Sequence, residues 1–279
     1  MSEKPFLLGV LKLGNIGTSP ILELLFDERA DRKNFNVIVV GSGAKMDEAA
    51  AEKIAKILIE QKPQVVLIPS PNAGLKGPAK AREMVKAAGI PVIILSDMLK
   101  KDEREALAQE GYGYILLQAD SMIGARREFL DPVEMSLFNA DVIRVLAATG
   151  AFRLVQIELD KVFANIMAGK TPKLPTIVVS ATKAAAAGHF SNPYAHAKAH
   201  AAYELAASVA NISVTGCFKT KEREKYIALV AAAHETMRAA ARLADEAREL
   251  EKDGDSVCRS PHIKDGKIGM KIKLHDKPT

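Results

Sequence analysis

Phe6-Leu7-Leu8-Gly9-Val10-Leu11-Lys12-Leu13 runs directly into Gly14-Asn15-Ile16-Gly17-Thr18-Ser19-Pro20, and helical spacing then starts at Ile21, Leu24 and Leu25. An apolar run, a glycine turn and an amphipathic helix form the repeating unit of a parallel sheet. The unit recurs. Val37 to Val40 is a second apolar run, ending in Gly41-Ser42-Gly43, and Met46 to Gln61 has helical spacing through Ile54, Ile57 and Leu58. Val65 to Ile68 predicts a third strand, Lys76 to Ala88 a helix, and Pro91 to Leu95 a fourth strand. Lys101 to Glu110 predicts another helix and Tyr114 to Leu117 a fifth strand. Strands this short and this apolar are expected where helices cover both faces. The fold class read from the chain is α/β: a mostly parallel N-terminal sheet with helices on both faces, then a C-terminal helical bundle region and a small β hairpin.

The character changes after Pro132. Val133 to Thr149 is apolar at helical spacing, with Asp131 or Pro132 placed to open the helix. Asn192-Pro193-Tyr194 opens another helix reaching about Ala210, and the longest runs from about Lys221 to Lys252. Tyr226, Val230, Ala233, Met237, Ala240, Ala244 and Ala247 step by four and three along it. A seam of small side chains admits close approach, so it predicts packing against another helix or a second subunit. Ile263 to Ile268 reads as a hairpin about Asp265-Gly266. The expected units are residues 1–131, a cofactor-binding α/β domain; 132–254, a helical domain with a small insert near 172–190; and 255–279, a hairpin tail.

The bulk numbers narrow the function. With 279 residues, 48% hydrophobic, 26% charged and no Trp, the core must be built largely from Ala, Val, Ile and Leu. No apolar run approaches the ~20 residues that cross a bilayer, and Met1 to Pro5 carries no basic, apolar leader. A cytoplasmic location without a membrane partner is expected. Cys217 and Cys258 are far apart and in no CxxC pattern, so neither a disulfide framework nor structural zinc is expected. The formal charge is +5, spread along the chain without a Lys/Arg tract interleaved with aromatics. That surplus suits polyanionic small molecules better than nucleic acid.

In open α/β sheets, ligands bind beyond the carboxyl ends of the strands. Gly14-Asn15-Ile16-Gly17-Thr18-Ser19 follows the first strand, where glycines let the backbone approach a ligand and a helix N-terminus faces it. The GxGxxG fingerprint is absent, and Gly41-Ser42-Gly43-Ala44-Lys45 stands where a ribose-binding acid is expected. This argues against NAD and leaves NADP open through Lys45. No P-loop and no GxSxG occurs. Ser70-Pro71-Asn72 and Ser96-Asp97 follow the third and fourth strands at the same edge. After the fifth strand come Asp120 and then Arg126-Arg127-Glu128-Phe129-Leu130-Asp131, a cluster suited either to an anionic ligand or to an ion-pair network at a domain junction. His196 and His200 have metal-ligand spacing but no evident third ligand, and His234 reads as a packing residue.

Several of these segments resemble one family, the coenzyme F420-dependent methylenetetrahydromethanopterin dehydrogenases of archaea. The matching residues are Lys12 to Ser19, Leu25 to Arg32, Gly77 to Met84, Gly113 to Leu116, Gly124 to Met135 with its arginine pair, Val145 to Gly150, Asn192 to Ala195, Gly216-Cys217-Phe218 and Ala244 to Lys252. The resemblance implies reversible hydride transfer between methylenetetrahydromethanopterin and C5 of the 8-hydroxy-5-deazaflavin coenzyme F420, with no metal and no flavin. It implies a homohexamer. It places Gly14, Asn15, Ile16, Gly17, Thr18 and Ser19 with Ser70, Pro71, Asn72 and Asp97 around the deazaflavin and its phosphate. Arg126, Arg127 and Glu128 become substrate-binding candidates, and Asp120 and Asp131 carboxylates that could favour the methenyl cation. An NADP-dependent dehydrogenase and a non-catalytic oligomeric binding protein stay as alternatives.

Overall fold

The computed structural model describes residues 5–29, 31–121, 128–263 and 266–278. Strands β1 (Phe6–Lys12), β2 (Phe35–Gly41), β3 (Val65–Pro69), β4 (Val92–Ser96) and β5 (Gly113–Leu117) alternate with helices α1 (Thr18–Asp27), α2 (Glu48–Glu60), α3 (Lys76–Ala87) and α4 (Lys101–Gln109). Helices α5 (Pro132–Ala148) and α6 (Ala151–Met167), strand β6 (Thr176–Val179), and helices α7 (Ala181–Ala187), α8 (Pro193–Val214) and α9 (Arg223–Asp253) follow. All six strands are parallel, in the order β2-β1-β3-β4-β5-β6.

The central strands β1, β3, β4 and β5 are almost wholly apolar because alternate residues enter two different cores. Leu8, Val10, Val65, Leu67, Ile93, Leu95, Ile115 and Leu117 face the side covered by α1, α5, α6, α8 and α9. Leu11, Val66, Ile68, Val92, Ile94 and Leu116 face α2, α3 and α4. Each fully buried Val, Leu or Ile contributes about 1.5–3 kcal/mol, and every residue of β3 and β4 is buried.

The structure extends the sequence reading at one place and decides between two alternatives at another. The sheet has six strands, not the five that were legible: the stretch 172–190, read as a small insert, supplies β6, which pairs with β5 from Tyr114↔Thr176 to Leu117↔Val179. Its apolar run, Ile177 to Val179, is shorter than the roughly four to eight residues that mark a buried strand. The α9 seam is satisfied within the chain. Tyr226, Val230, Ala233, Met237, Ala240, Ala244 and Ala247 are all buried, and Ala233, Met237, Ala240 and Ala244 share a core with Ala202, Ala206 and Val209 of α8. In the tail, antiparallel bridges Arg259↔Ile272 and His262↔Ile268 form the hairpin. Asp265, about which the turn was expected, and Lys264 lie outside the described residues.

Candidate active site

Beyond the carboxyl end of the sheet, the chain leaves β1 toward β2 on one side, while β3 lies on the other. The loops after β1 and β3 therefore diverge here, and this switch point is where open α/β sheets bind ligands. The two loops are stitched together: Leu13 N–H donates to Pro69 O (3.1 Å). Gly14 has φ +78°, and a side chain there would stand 2.6 Å from Met46 Sδ, so only glycine lets the β2–α2 loop close against β1. Ser70 and Pro71 are buried, Asn72 accepts from Gly74 N–H (3.0 Å), and Ser96 Oγ accepts from Ala73 N–H (3.3 Å). Asp97 is half-buried just past β4. Gly14 to Ser19, Ser70 to Asn72 and Asp97 thus share one edge, reached from three strand ends.

Asp120 is fully buried (0% exposed) and belongs to the same edge. Gly17 N–H donates to its Oδ1 (2.7 Å), Thr18 N–H donates to its Oδ2 (2.7 Å), and the Thr18 hydroxyl also donates to Oδ2. One carboxylate from the loop after β5 thereby caps α1, which starts after β1. Burial raises the carboxyl to about 6, and the donors on Thr18 and Gly17 offset only part of that cost. Gly17 is pressed from two sides: a Cβ there would sit 2.6 Å from Val142 Cγ1 and 2.8 Å from Asp120 Oδ1.

Asp131 opens α5: its Oδ1 accepts from Glu134 N–H (2.7 Å), and Pro132 takes the first helical position. Glu128 is exposed in the turn before it. Arg126 and Arg127 lie outside the described residues. Near the start of α5, Glu134 Oε1 lies 2.9 Å from His234 Nδ1 and 3.7 Å from Arg238. His234 is buried against Phe138 and Phe129, at ring centroid distances of 4.5 and 4.9 Å. Burial holds its imidazole below the usual value despite the Glu134 carboxylate, and its Nε2 has no hydrogen-bond partner. His196 and His200 do not join this edge cluster; His200 Nε2 lies 3.8 Å from Glu204 of its own helix. The Asp120–Thr18 and Glu134–His234 links span about a hundred residues, so no local pattern announces either.

The edge carries groups that can hold an anionic ligand. Backbone closes tightly around Gly14, the Ser19 hydroxyl is buried without a partner, and Lys45, Lys76 and Lys100 lie in the loops and helix starts around the rim. The helix starts differ in kind. Asp47 caps α2, Glu103 closes a box on α4, Asp131 caps α5 and Asp120 caps α1. Only α3, among these five, begins without a side-chain cap or an acid in its first turn.

A family model described as methylene-5,6,7,8-tetrahydromethanopterin dehydrogenase matches residues 6–279. The chain belongs to the methylenetetrahydromethanopterin dehydrogenase family. Among similar dehydrogenases, F420-dependent methylenetetrahydromethanopterin dehydrogenase of Archaeoglobus fulgidus is 60% identical over 270 residues, covering 97% of this chain and 98% of the relative. The enzymes of the same name from Methanococcus vannielii and Methanothermobacter marburgensis are 54% and 52% identical at the same coverage. A solved F420-dependent dehydrogenase of this family, in complex with methylene-tetrahydromethanopterin and coenzyme F420, superposes with a TM-score of 0.94. It is 42% identical, and the match covers 99% of this chain and 100% of that one.

Proposed function

We infer that this chain catalyses reversible hydride transfer between methylenetetrahydromethanopterin and coenzyme F420, giving methenyltetrahydromethanopterin and reduced F420. One observation carries the reading: the whole chain matches, at a TM-score of 0.94, an enzyme solved with both molecules bound. When coenzyme F420 is bound, its deazaflavin C5 is the hydride partner of the pterin's methylene carbon.

The protein's work is then to hold two rings face to face and keep water away. Correct positioning is worth roughly 7–11 kcal/mol of barrier, whereas one exposed ion pair is worth less than about 1 kcal/mol. Groups that shape the edge therefore matter more than any single charge on it. We assign Gly14 to Ile16 and Ser70 to Asn72 to the deazaflavin, with Asp97 at a polar ring edge. Lys45, Lys76 and Lys100 supply a positive field for the acidic tails of both ligands. Arg126, Arg127 and Glu128 are assigned to the pterin side, since the segment carrying them runs from the loop after β5 to the start of α5.

The same reading includes a homo-oligomer, a hexamer by family resemblance, in the cytoplasm. Val133 and Leu137, one turn apart on α5, stay 67% and 48% exposed, and Leu24 on α1 is 62% exposed. Two exposed apolar side chains one turn apart at the start of α5 support a subunit contact there.

The test is to mix purified protein with oxidised coenzyme F420 and methylenetetrahydromethanopterin without oxygen and follow the deazaflavin absorbance. Bleaching that requires both compounds is expected. Bleaching by neither, or reduction of NADP instead, would overturn the assignment.

A further inference from the structure

The start of α1 has the features usually taken for a phosphate site: a glycine turn, unpaired N–H groups and a helix dipole. In this chain those donors are already engaged. Gly17 N–H and Thr18 N–H each donate at 2.7 Å to the two oxygens of Asp120, and the Thr18 hydroxyl donates to one of them. The carboxylate is fully buried, so a ligand phosphate would have to displace a charge that the protein itself places there. Two anions do not share one helix start without a large repulsion.

We propose that Asp120 is a positioning residue, an internal cap that fixes the loop after β1 for the deazaflavin ring, and that the phosphate of coenzyme F420 is held elsewhere along the edge. The inference deepens the hydride-transfer reading and rests on it. Two contacts hold the start of α1, and a third holds the loop after β5. Val142 of α5 and Asp120 close on Gly17 from two sides, and Ser121, next in sequence, donates from its hydroxyl to Ala206 O on α8 (3.0 Å). The loop after β5 is thus tied to α8 through Ser121 and to the start of α1 through Asp120. Asp120 couples the ring site to the segment that leads into the arginine pair.

An internal cap and a phosphate site predict opposite effects of removing the carboxylate. In Asp120→Asn the amide cannot accept from both backbone donors, so the loop loosens. Equilibrium fluorescence titration should then give about tenfold weaker binding of coenzyme F420, and an equal loss for the deazaflavin chromophore lacking its phosphate-bearing tail. The KM for F420 should rise more than that for the pterin, and Asp120→Glu should restore part of the affinity. Thr18→Val, which keeps both backbone bonds, serves if Asp120→Asn does not fold, with a smaller loss that is again equal for the two ligands.

Unchanged affinity for both ligands in a folded variant would overturn the proposal. So would tighter binding of intact F420 with no change for the tail-less ring, because the helix start would then be the phosphate site. Wild-type protein that binds F420 but does not turn over would sink the hydride-transfer reading instead, leaving these binding comparisons to be read on their own.

Discussion

Asp120 sets two quantities that move in opposite directions with pH. Folding raises its carboxyl from 3.8 to about 6, chiefly through burial. Between those values the folded chain holds a proton that the unfolded chain has released. Its contribution to stability is therefore full below about pH 4 and is lost as pH rises through about 6. The nearest titratable neighbour on α8, Tyr203, is itself pushed upward by burial and stays neutral across this range. Denaturant melts of wild type and Asp120→Asn should thus diverge in pH dependence only between about pH 4 and 6. Affinity for coenzyme F420 should run the other way, falling below about pH 6 as protonation removes an acceptor from the α1 donors. That step should be absent in the variant; a step that persists there belongs to another group. Gly17→Ala is a second test of the same crowding. Its methyl would meet Val142 and Asp120, and overpacking of this kind costs about 1–3 kcal/mol, read as a melting temperature lower by several degrees.

At the scale of single elements, α5 and α9 carry the clearest expectations. Asp131 caps α5, so Asp131→Ala should lower stability by about 1 kcal/mol and leave kcat nearly unchanged; a large loss of kcat without loss of stability would instead mark it as a carboxylate acting on the cation. Ala240 is fully buried where α9 meets the rest of the helical layer. Ala240→Trp should abolish cooperative unfolding or lower the melting temperature by well over 5 °C, and an unchanged melt would show that the helices can separate there at little cost. The elements were also the most readable level of the chain. Five strands announced themselves as continuous apolar runs, as in Val65-Val66-Leu67-Ile68, and α5, α8 and α9 by helical spacing or opening residues, as in the seam from Tyr226 to Ala247. β6 and α7 did not, being four and seven residues long, and neither did α6, which opens after Gly150 with no side-chain cap to mark its start. Of the site, the glycine turn after β1 and the serines after β3 and β4 were legible because strand ends of a parallel sheet must share an edge. The links from Asp120 to Thr18 and from Glu134 to His234 were not, because a contact across a hundred residues leaves no spacing to read.

For the whole molecule, the exposed apolar residues on α1 and α5 make the sharpest prediction. Val133→Asp with Leu137→Asp should reduce the assembled mass seen by light scattering while each chain stays folded by circular dichroism. Assembly unaffected by both changes would move the subunit contact to another face. The charge balance gives a milder one: with a surplus of five positive charges, the association rate of the acidic ligands should fall as ionic strength rises past the point where screening reaches about 10 Å. An all-parallel sheet also has a history. The outer edge of β5 finds its last partner only when Thr176–Val179 arrives, about sixty residues after β5 ends. At synthesis rates of about 5–20 residues per second, a growing chain carries that row of open amides and carbonyls for several seconds, with α5 and α6 emerging meanwhile. A ribosome pause between these two strands would lengthen the interval in which neighbouring nascent chains can pair with each other.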